Sequence, residues 1–189
     1  GWVAPASFMQ RNNELMDAYS QGKLAMEEFM AFSLEPLIGR TPEEVEHLVG
    51  PWVEDFIEPI IFSDATRTIA AHRKAGDRIL VISASGTHLV KPIAERLGID
   101  EVLGIELEVA HGFYTGNTVG TLTYREGKIT RLLEWLDEQE ENLEGASFYS
   151  DSRNDLPLLL KVDHPHVVNP DPVLREQAEK AGWPIHHWK

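Results

Sequence analysis

Three short stretches carry residue types whose combination does chemistry. Ser83-Ala84-Ser85-Gly86 follows the apolar run Arg78-Ile79-Leu80-Val81-Ile82 and precedes a helical pattern. Small residues there let backbone come close to a ligand, and N–H groups, a hydroxyl and a helix dipole together suit a phosphate. Tyr149-Ser150-Asp151-Ser152-Arg153-Asn154-Asp155 follows another apolar run and sets two aspartates four apart. The first can offer a carboxylate oxygen to Mg2+, and the second can hold it, or a bound water, by hydrogen bonding. Lys128, preceded by Gly127, opens a helical pattern, where a cation opposes the helix dipole. Neutralising a bound phosphate and the carboxylates around it would account for that placement. Taken singly, each stretch has a plainer use: Ser83 or Asp155 caps a helix, Asp151 sits in a turn, and Lys128 is a solvated surface cation.

The surrounding pattern places these stretches at strand ends. Residues 65–75 read as a helix ended by Gly76, and residues 78–82, rich in β-branched side chains, as a buried parallel strand. A helix over 88–97 closed by Gly98 and a short strand over 102–107 follow. Gly112, Gly116, Gly120 and Gly127 punctuate threonine- and tyrosine-rich segments that read as one or two hairpins. Helices over 128–139, from the 150s through Leu160 and over 173–181 alternate with strands over 146–150, 166–168 and 183–186. Such alternation implies a parallel sheet covered by helices on both faces, with ligands bound beyond the carboxyl ends of the strands.

Before residue 64 the texture is helical throughout. Phe8, Leu15, Met16 and Tyr19 lie at helical spacings up to a stop at Gly22, and Leu24, Met26, Phe29, Met30, Phe32 and Leu37 continue the pattern. Thr41-Pro42-Glu43-Glu44 is a helix start, with a capping threonine, proline at the first helical position and early acids. Val45, Leu48, Val49, Trp52, Val53 and Phe56 form the apolar face of that helix. Phe29, Phe32, Trp52 and Phe56 could line a pocket beneath this helical module, but packing its core is the expectation.

Composition narrows the function classes. The 189 residues include no cysteine, which excludes a disulfide framework, a thiolate metal site and a cysteine nucleophile, and fits a reducing cytoplasm. No basic stretch with an apolar run opens the chain at Gly1-Trp2-Val3, and no apolar stretch approaches the roughly 20 residues of a membrane span. A net charge of −14 and a pI of about 4.9 oppose nucleic acid and anionic membrane as partners. A small anionic ligand needs concentrated donors or a metal ion against that field. The eight histidines show no His-x-x-x-His pair; His164 and His166 flank a strand start and His186-His187 lie near the end. Arg153, between the paired acids, could reach phosphate or substrate, but a surface ion pair is the expectation; Asn154 could orient the site or serve simply as a turn residue.

In order and placement, the hydroxyl turn, the helix-opening lysine and the paired-aspartate turn resemble the second, third and fourth motifs of the haloacid dehalogenase superfamily. The resemblance implies that Ser83, with Ala84 and Ser85, binds the phosphate, that Lys128 balances its charge, and that Asp151 binds Mg2+ with Asp155 in support. The nearer likeness is to the phosphoserine-phosphatase-like branch, subfamily IB. It rests on Val81-Ile82-Ser83-Ala84-Ser85, on the stretch from Tyr149 to Asp155 and on Val168-Asn169-Pro170-Asp171-Pro172. It implies an α/β fold, a Rossmann-like parallel sheet flanked by helices with a small all-helical cap. Residues 1–63 would be the cap and 64–189 the core. The implied activity is that of a Mg2+-dependent phosphomonoesterase working through an aspartyl-phosphate. Its substrate would be a small phosphorylated metabolite such as phosphoserine or histidinol phosphate.

The family's first motif, Asp-x-Asp-x-Thr or Val, supplies the nucleophile and the general acid and base, and no Asp-x-Asp occurs in these 189 residues. The strand that carries it is central in the family's sheet, and its loss would leave unpaired backbone edges in the interior. The expectation is therefore roughly 20–30 preceding residues, with the nucleophile upstream of residue 1 and the core here lacking its first strand. The alternative is a non-catalytic phosphate- or metabolite-binding relative, or an inactive fragment. A dinucleotide binder is disfavoured, because no Gly-x-Gly-x-x-Gly opens a helix. A receiver domain has no need of a helical cap.

Overall fold

The structure, a computed structural model, describes residues 5–21 and 23–189, so the expected helix stop at Gly22 lies outside the described residues. Helices α1 (Pro5–Ser20), α2 (Met26–Leu34) and α3 (Pro42–Trp52) come first. Thr41 caps α3 reciprocally: its Oγ1 accepts from the Glu44 N–H at 3.1 Å, and the Glu44 carboxylate accepts from the Thr41 N–H at 2.9 Å. Pro51 withholds an N–H near the end of α3, and the chain passes into a wider π-type turn over Val53–Ile57.

The apolar face expected for α3 divides in two. Val45, Val49 and Val53 are buried against Leu15, Met26, Met30 and Leu34, whereas Trp52 and Phe56 are 41% and 63% exposed. Trp52 and Phe56 therefore do not pack a core, contrary to expectation. A helix resting on one side of its neighbours buries one stripe, and the adjacent stripe is left outside. Phe29 and Phe32 do pack against the cluster, and Phe32 stacks on Phe8 with ring centroids 4.5 Å apart.

The rest of the chain alternates as the sequence pattern predicts. Helix α4 (Ser63–Ala75) ends at Gly76, whose φ of 87° is left-handed. Strand β1 (Leu80–Gly86) leads into α5 (Thr87–Arg96), and β2 (Glu101–Ala110) and β3 (Phe113–Val119) form a single antiparallel hairpin. Its turn sets His111 and Gly112 at φ 53° and 85°, the pairing that a two-residue hairpin turn requires. Then come α6 (Glu126–Glu138), β4 (Ser147–Ser150), a single 3-10 turn over Arg153–Asp155, α7 (Leu156–Leu159), β5 (His164–Val168), α8 (Pro172–Ala181) and β6 (Ile185–His186).

The strands form two three-stranded sheets, β1-β2-β3 and β4-β5-β6, in which β1 with β2, β4 with β5 and β5 with β6 are parallel. Among the described residues, β1 and β4 each pair on one side only. The N-terminal helices share their core with this α/β portion. Ile105 of β2 belongs to their buried cluster, and Ala84, Leu89, Leu107 and Tyr124 pack against it. Backbone bonds between Gly39 and Tyr114 (2.9 Å) and between Tyr114 and Arg40 (2.8 Å) pin the connection before α3 to the β2–β3 hairpin.

Candidate active site

Strand β1 continues past Ile82, where the sequence pattern ends it, but not in register. Ile82 pairs with Leu103 and Gly86 with Ile105, so Ser83, Ala84 and Ser85 stand opposite Gly104 alone and bow out of the ladder. The Ser83 hydroxyl oxygen accepts from the Ser85 N–H at 3.2 Å, which leaves its own proton to donate elsewhere. Thr123, wholly buried, donates its hydroxyl to the Ser83 carbonyl and ties this bulge to the segment that leads into α6.

That segment delivers Lys128. Helix α6 begins at Glu126, two residues ahead of it, after Arg125 with a positive φ of 51°. Gly127 is obligatory here: a Cβ at this position would fall 1.9 Å from the Leu122 carbonyl oxygen. Lys128 is therefore directed inward instead of being a solvated surface cation. Its Nζ lies 2.5 Å from Asp155 Oδ1, and the two side chains are 7% and 11% exposed. Asp155 also accepts the Ser150 hydroxyl at 2.7 Å, and Ser150 accepts the Ser152 N–H at 3.1 Å. The carboxylate of Asp155 is thus bonded on both oxygens, which is what a buried charge requires.

Asp151 stands at the carboxyl end of β4. Although the residue is exposed, partial desolvation of its carboxyl raises its pKa; Asp155 and Asp171 add to the rise, and Lys128 opposes it. The Asp171 N–H donates to the Asp151 carbonyl at 2.9 Å, and one Asp171 oxygen accepts from the Arg153 N–H at 2.6 Å. Its other oxygen accepts from the Val173 and Leu174 N–H groups at 2.8 and 3.0 Å, capping α8. One aspartate thus fixes the Asp151 loop to the next helix.

Asn154 is 4% exposed. Its Oδ1 accepts from Tyr124 OH at 3.2 Å and Arg125 Nε at 3.4 Å, and its Nδ2 donates to the Tyr19 carbonyl at 3.4 Å, linking α1 to the core. It is more than a turn residue. Arg153 forms no salt bridge with a described residue, contrary to expectation, and takes part through its backbone. His166 and His186 do meet, with ring nitrogens 3.1 Å apart and Tyr149 stacked on His166 at 4.4 Å. Among the described residues, no group of three or more histidines, aspartates or glutamates is arranged to hold a metal ion.

The arrangement brings Lys128, Asp155 and Asp151 into one electrostatic group and links Ser83 to it through Thr123. Thr123, Ser150 and Asp171 are the parts that nothing in the sequence marked for a role in the site. Asp151 offers one carboxylate to a hard divalent cation, and Asp155 is already engaged by Lys128 and Ser150, so the described residues supply part of such a site. Asp151 is an exposed carboxylate raised in pKa by partial desolvation and by like charges, while Lys128 is already engaged by Asp155. Oxygen donors of this kind suit Mg2+ better than zinc.

The chain is similar to several known proteins. Residues 4–160 match the haloacid dehalogenase-like hydrolase family. A histidinol-phosphatase of Neisseria meningitidis serogroup C (strain 8013) is 38% identical over 193 residues, spanning 100% of this chain and 87% of that protein. The chain covers 49% of the length of two Mycobacterium tuberculosis relatives that are 39% identical over 142 residues. A protein of unknown function from Bordetella pertussis Tohama I superposes with a TM-score of 0.89 at 34% identity, covering 97% of this chain and 83% of that one. A phosphoserine phosphatase solved as a phospho-aspartyl intermediate analogue shares the fold, with a TM-score of 0.66 at 23% identity over 94% of this chain and 79% of its own.

Proposed function

This chain belongs to the haloacid dehalogenase-like hydrolase family, and on that premise we propose that it is a Mg2+-dependent phosphomonoesterase of small phosphorylated metabolites, histidinol phosphate or phosphoserine among them. The observation that carries the reading is the buried Lys128–Asp155 pair beside Asp151, tied through Thr123 to the Ser83 bulge. The histidinol-phosphatase relative supports the choice of substrate.

In this reading the Ser83 hydroxyl and the Ala84 N–H hold the phosphoryl oxygens, with the Ser85 side chain beside them. Lys128 offsets the charge that gathers on the phosphoryl group, and Asp155 and Ser150 keep its ammonium in place. Asp151 would hold Mg2+, with Asp155 in support; the ion, when bound, neutralises phosphoryl oxygens. The helices of residues 1–63 act as a cap that shields the site from water.

The nucleophile is an aspartate upstream of residue 1. Its carboxylate oxygen attacks phosphorus and the ester P–O bond breaks; water then cleaves the aspartyl-phosphate and restores the carboxylate. That β1 and β4 are each paired on one side only among the described residues supports that placement. Release of inorganic phosphate from a panel of phosphate monoesters by the full-length protein, with Mg2+ and with EDTA, tests the proposal. Binding of the esters without release would favour a non-catalytic phosphate-binding relative instead.

A further inference from the structure

Trp52 and Phe56 do not stand alone on the surface. Leu48, Trp52, Phe56 and Ile60 recur at every fourth position along α3, the π-type turn and the 3-10 turn that follows it (Glu58–Ile60), and Phe62 comes just before α4. Their exposures run from 41% at Trp52 to 67% at Ile60. Val45, Val49 and Val53, three positions earlier in each turn, are buried against the N-terminal helices, so this second row faces outward from the same turns. Four residues overshoot a full α-turn and fall short of a wider π-turn, so Leu48, Trp52 and Phe56 stay in line. Scattered exposed apolar residues are ordinary; a continuous row of large ones marks a surface that another body covers. These five side chains expose on the order of 500 Å2.

We propose that this row is the interface of a homodimer, in which two copies lay α3 against α3 about a twofold axis. A twofold interface needs a patch that fits itself, and one apolar row on a helix does so: run antiparallel, each row fills the grooves beside the other. The area fits a second copy. A standard interface buries about 800 Å2 per partner, and the row supplies roughly three-fifths of that as apolar surface, close to the share found in homodimers. Acids on the same turns are partly neutralised within the chain. Arg96, at the end of α5, lies 3.7 Å from Glu54 and 3.6 Å from Glu58, and the Glu44 carboxylate is engaged at the Thr41 cap. No lysine or arginine occurs between Pro42 and Ile60, so the face offers no cation to an anionic membrane. Each copy carries a net charge of −14, so charge opposes the pairing and apolar burial drives it.

The test is sedimentation equilibrium of the full-length protein from about 1 to about 300 µM, at low and at high NaCl. Wild type is expected to dimerise with a Kd on the order of 10 µM, and severalfold more tightly at high salt, which screens the repulsion between copies. Phe56→Glu and Trp52→Glu are each expected to weaken the dimer at least about tenfold. Their urea midpoints should stay near wild type, because both positions already face solvent. Phe56→Gln should weaken it as well, which separates loss of the apolar contact from the added charge. Leu133→Glu, on α6 and 46% exposed, should leave it unchanged. A wild type that stays monomeric over this range, a dimer that survives Phe56→Glu and Trp52→Glu, equal weakening by Leu133→Glu, or a dimer loosened by salt would overturn the proposal. A monomeric wild type that binds a lysine-rich amphipathic peptide at low salt, with Phe56→Gln abolishing the binding, would give the face to a basic partner instead.

Discussion

Lys128 and Asp155 form an ion pair 2.5 Å apart with side chains 7% and 11% exposed, and Asp155 takes a second bond from Ser150. Removing one member of a buried pair leaves the other charge without a partner. Lys128→Met is expected to cost roughly 3–5 kcal/mol of stability, measured by urea unfolding. The double variant Lys128→Met/Asp155→Leu should recover most of that loss, since an apolar pair replaces the ion pair, yet hydrolysis should stay absent. Recovery of hydrolysis in the double variant would contradict the charge-balancing role of Lys128.

Asp171 caps α8 with one oxygen and holds the Arg153 N–H with the other. Asp171→Ala is expected to cost about 1–2 kcal/mol through the lost cap. It should also weaken Mg2+ binding seen by calorimetry, because the loop that presents Asp151 loses its anchor. Asp171→Asn, a good capping residue, should keep most of the stability. Unchanged Mg2+ affinity in Asp171→Ala would show that the loop holds its shape without this contact.

Stability should depend on pH through His88. Its pKa falls from 6.5 in the open chain to about 4 in the folded protein, so between these values the unfolded chain binds the extra proton. The folded state therefore gains stability as pH rises through that window, in full above about 6.5, and loses it as pH falls toward 4. The size is up to roughly 3 kcal/mol. Urea midpoints from pH 4 to 7 should show a steeper rise for wild type than for His88→Phe; parallel curves would mean that the imidazole is not neutralised by folding.

Much of this site was legible in the sequence because its parts are local. Ser83 and Asp151 stand at the ends of apolar runs, and Lys128 follows a glycine at a helix start, each a signal contained within a few residues. What supports them is not local. Thr123 reaches Ser83 across 40 residues and Asn154 reaches Tyr19 across 135, and nothing in the neighbouring sequence marks either contact. Asp171 was visible as a strand-end aspartate, but its grip on Arg153 depends on β4 and β5 being paired. Helical periodicity identified α3 but could not say which of two adjacent stripes faces the core, so Trp52 and Phe56 were assigned to the wrong side. The bowing of Ser83–Ser85 from β1 is set by register with β2, and a run of small residues does not encode it.

The central claim is that Asp151 serves a Mg2+-dependent phosphatase. The most direct measurement is the rate of phosphate release from histidinol phosphate by full-length wild type and Asp151→Ala, side by side across a Mg2+ titration. Wild type is expected to turn over only with the metal present, and Asp151→Ala to lose at least about a hundredfold in rate or to need far more Mg2+. An Asp151→Ala protein that keeps full Mg2+-dependent turnover would contradict the account.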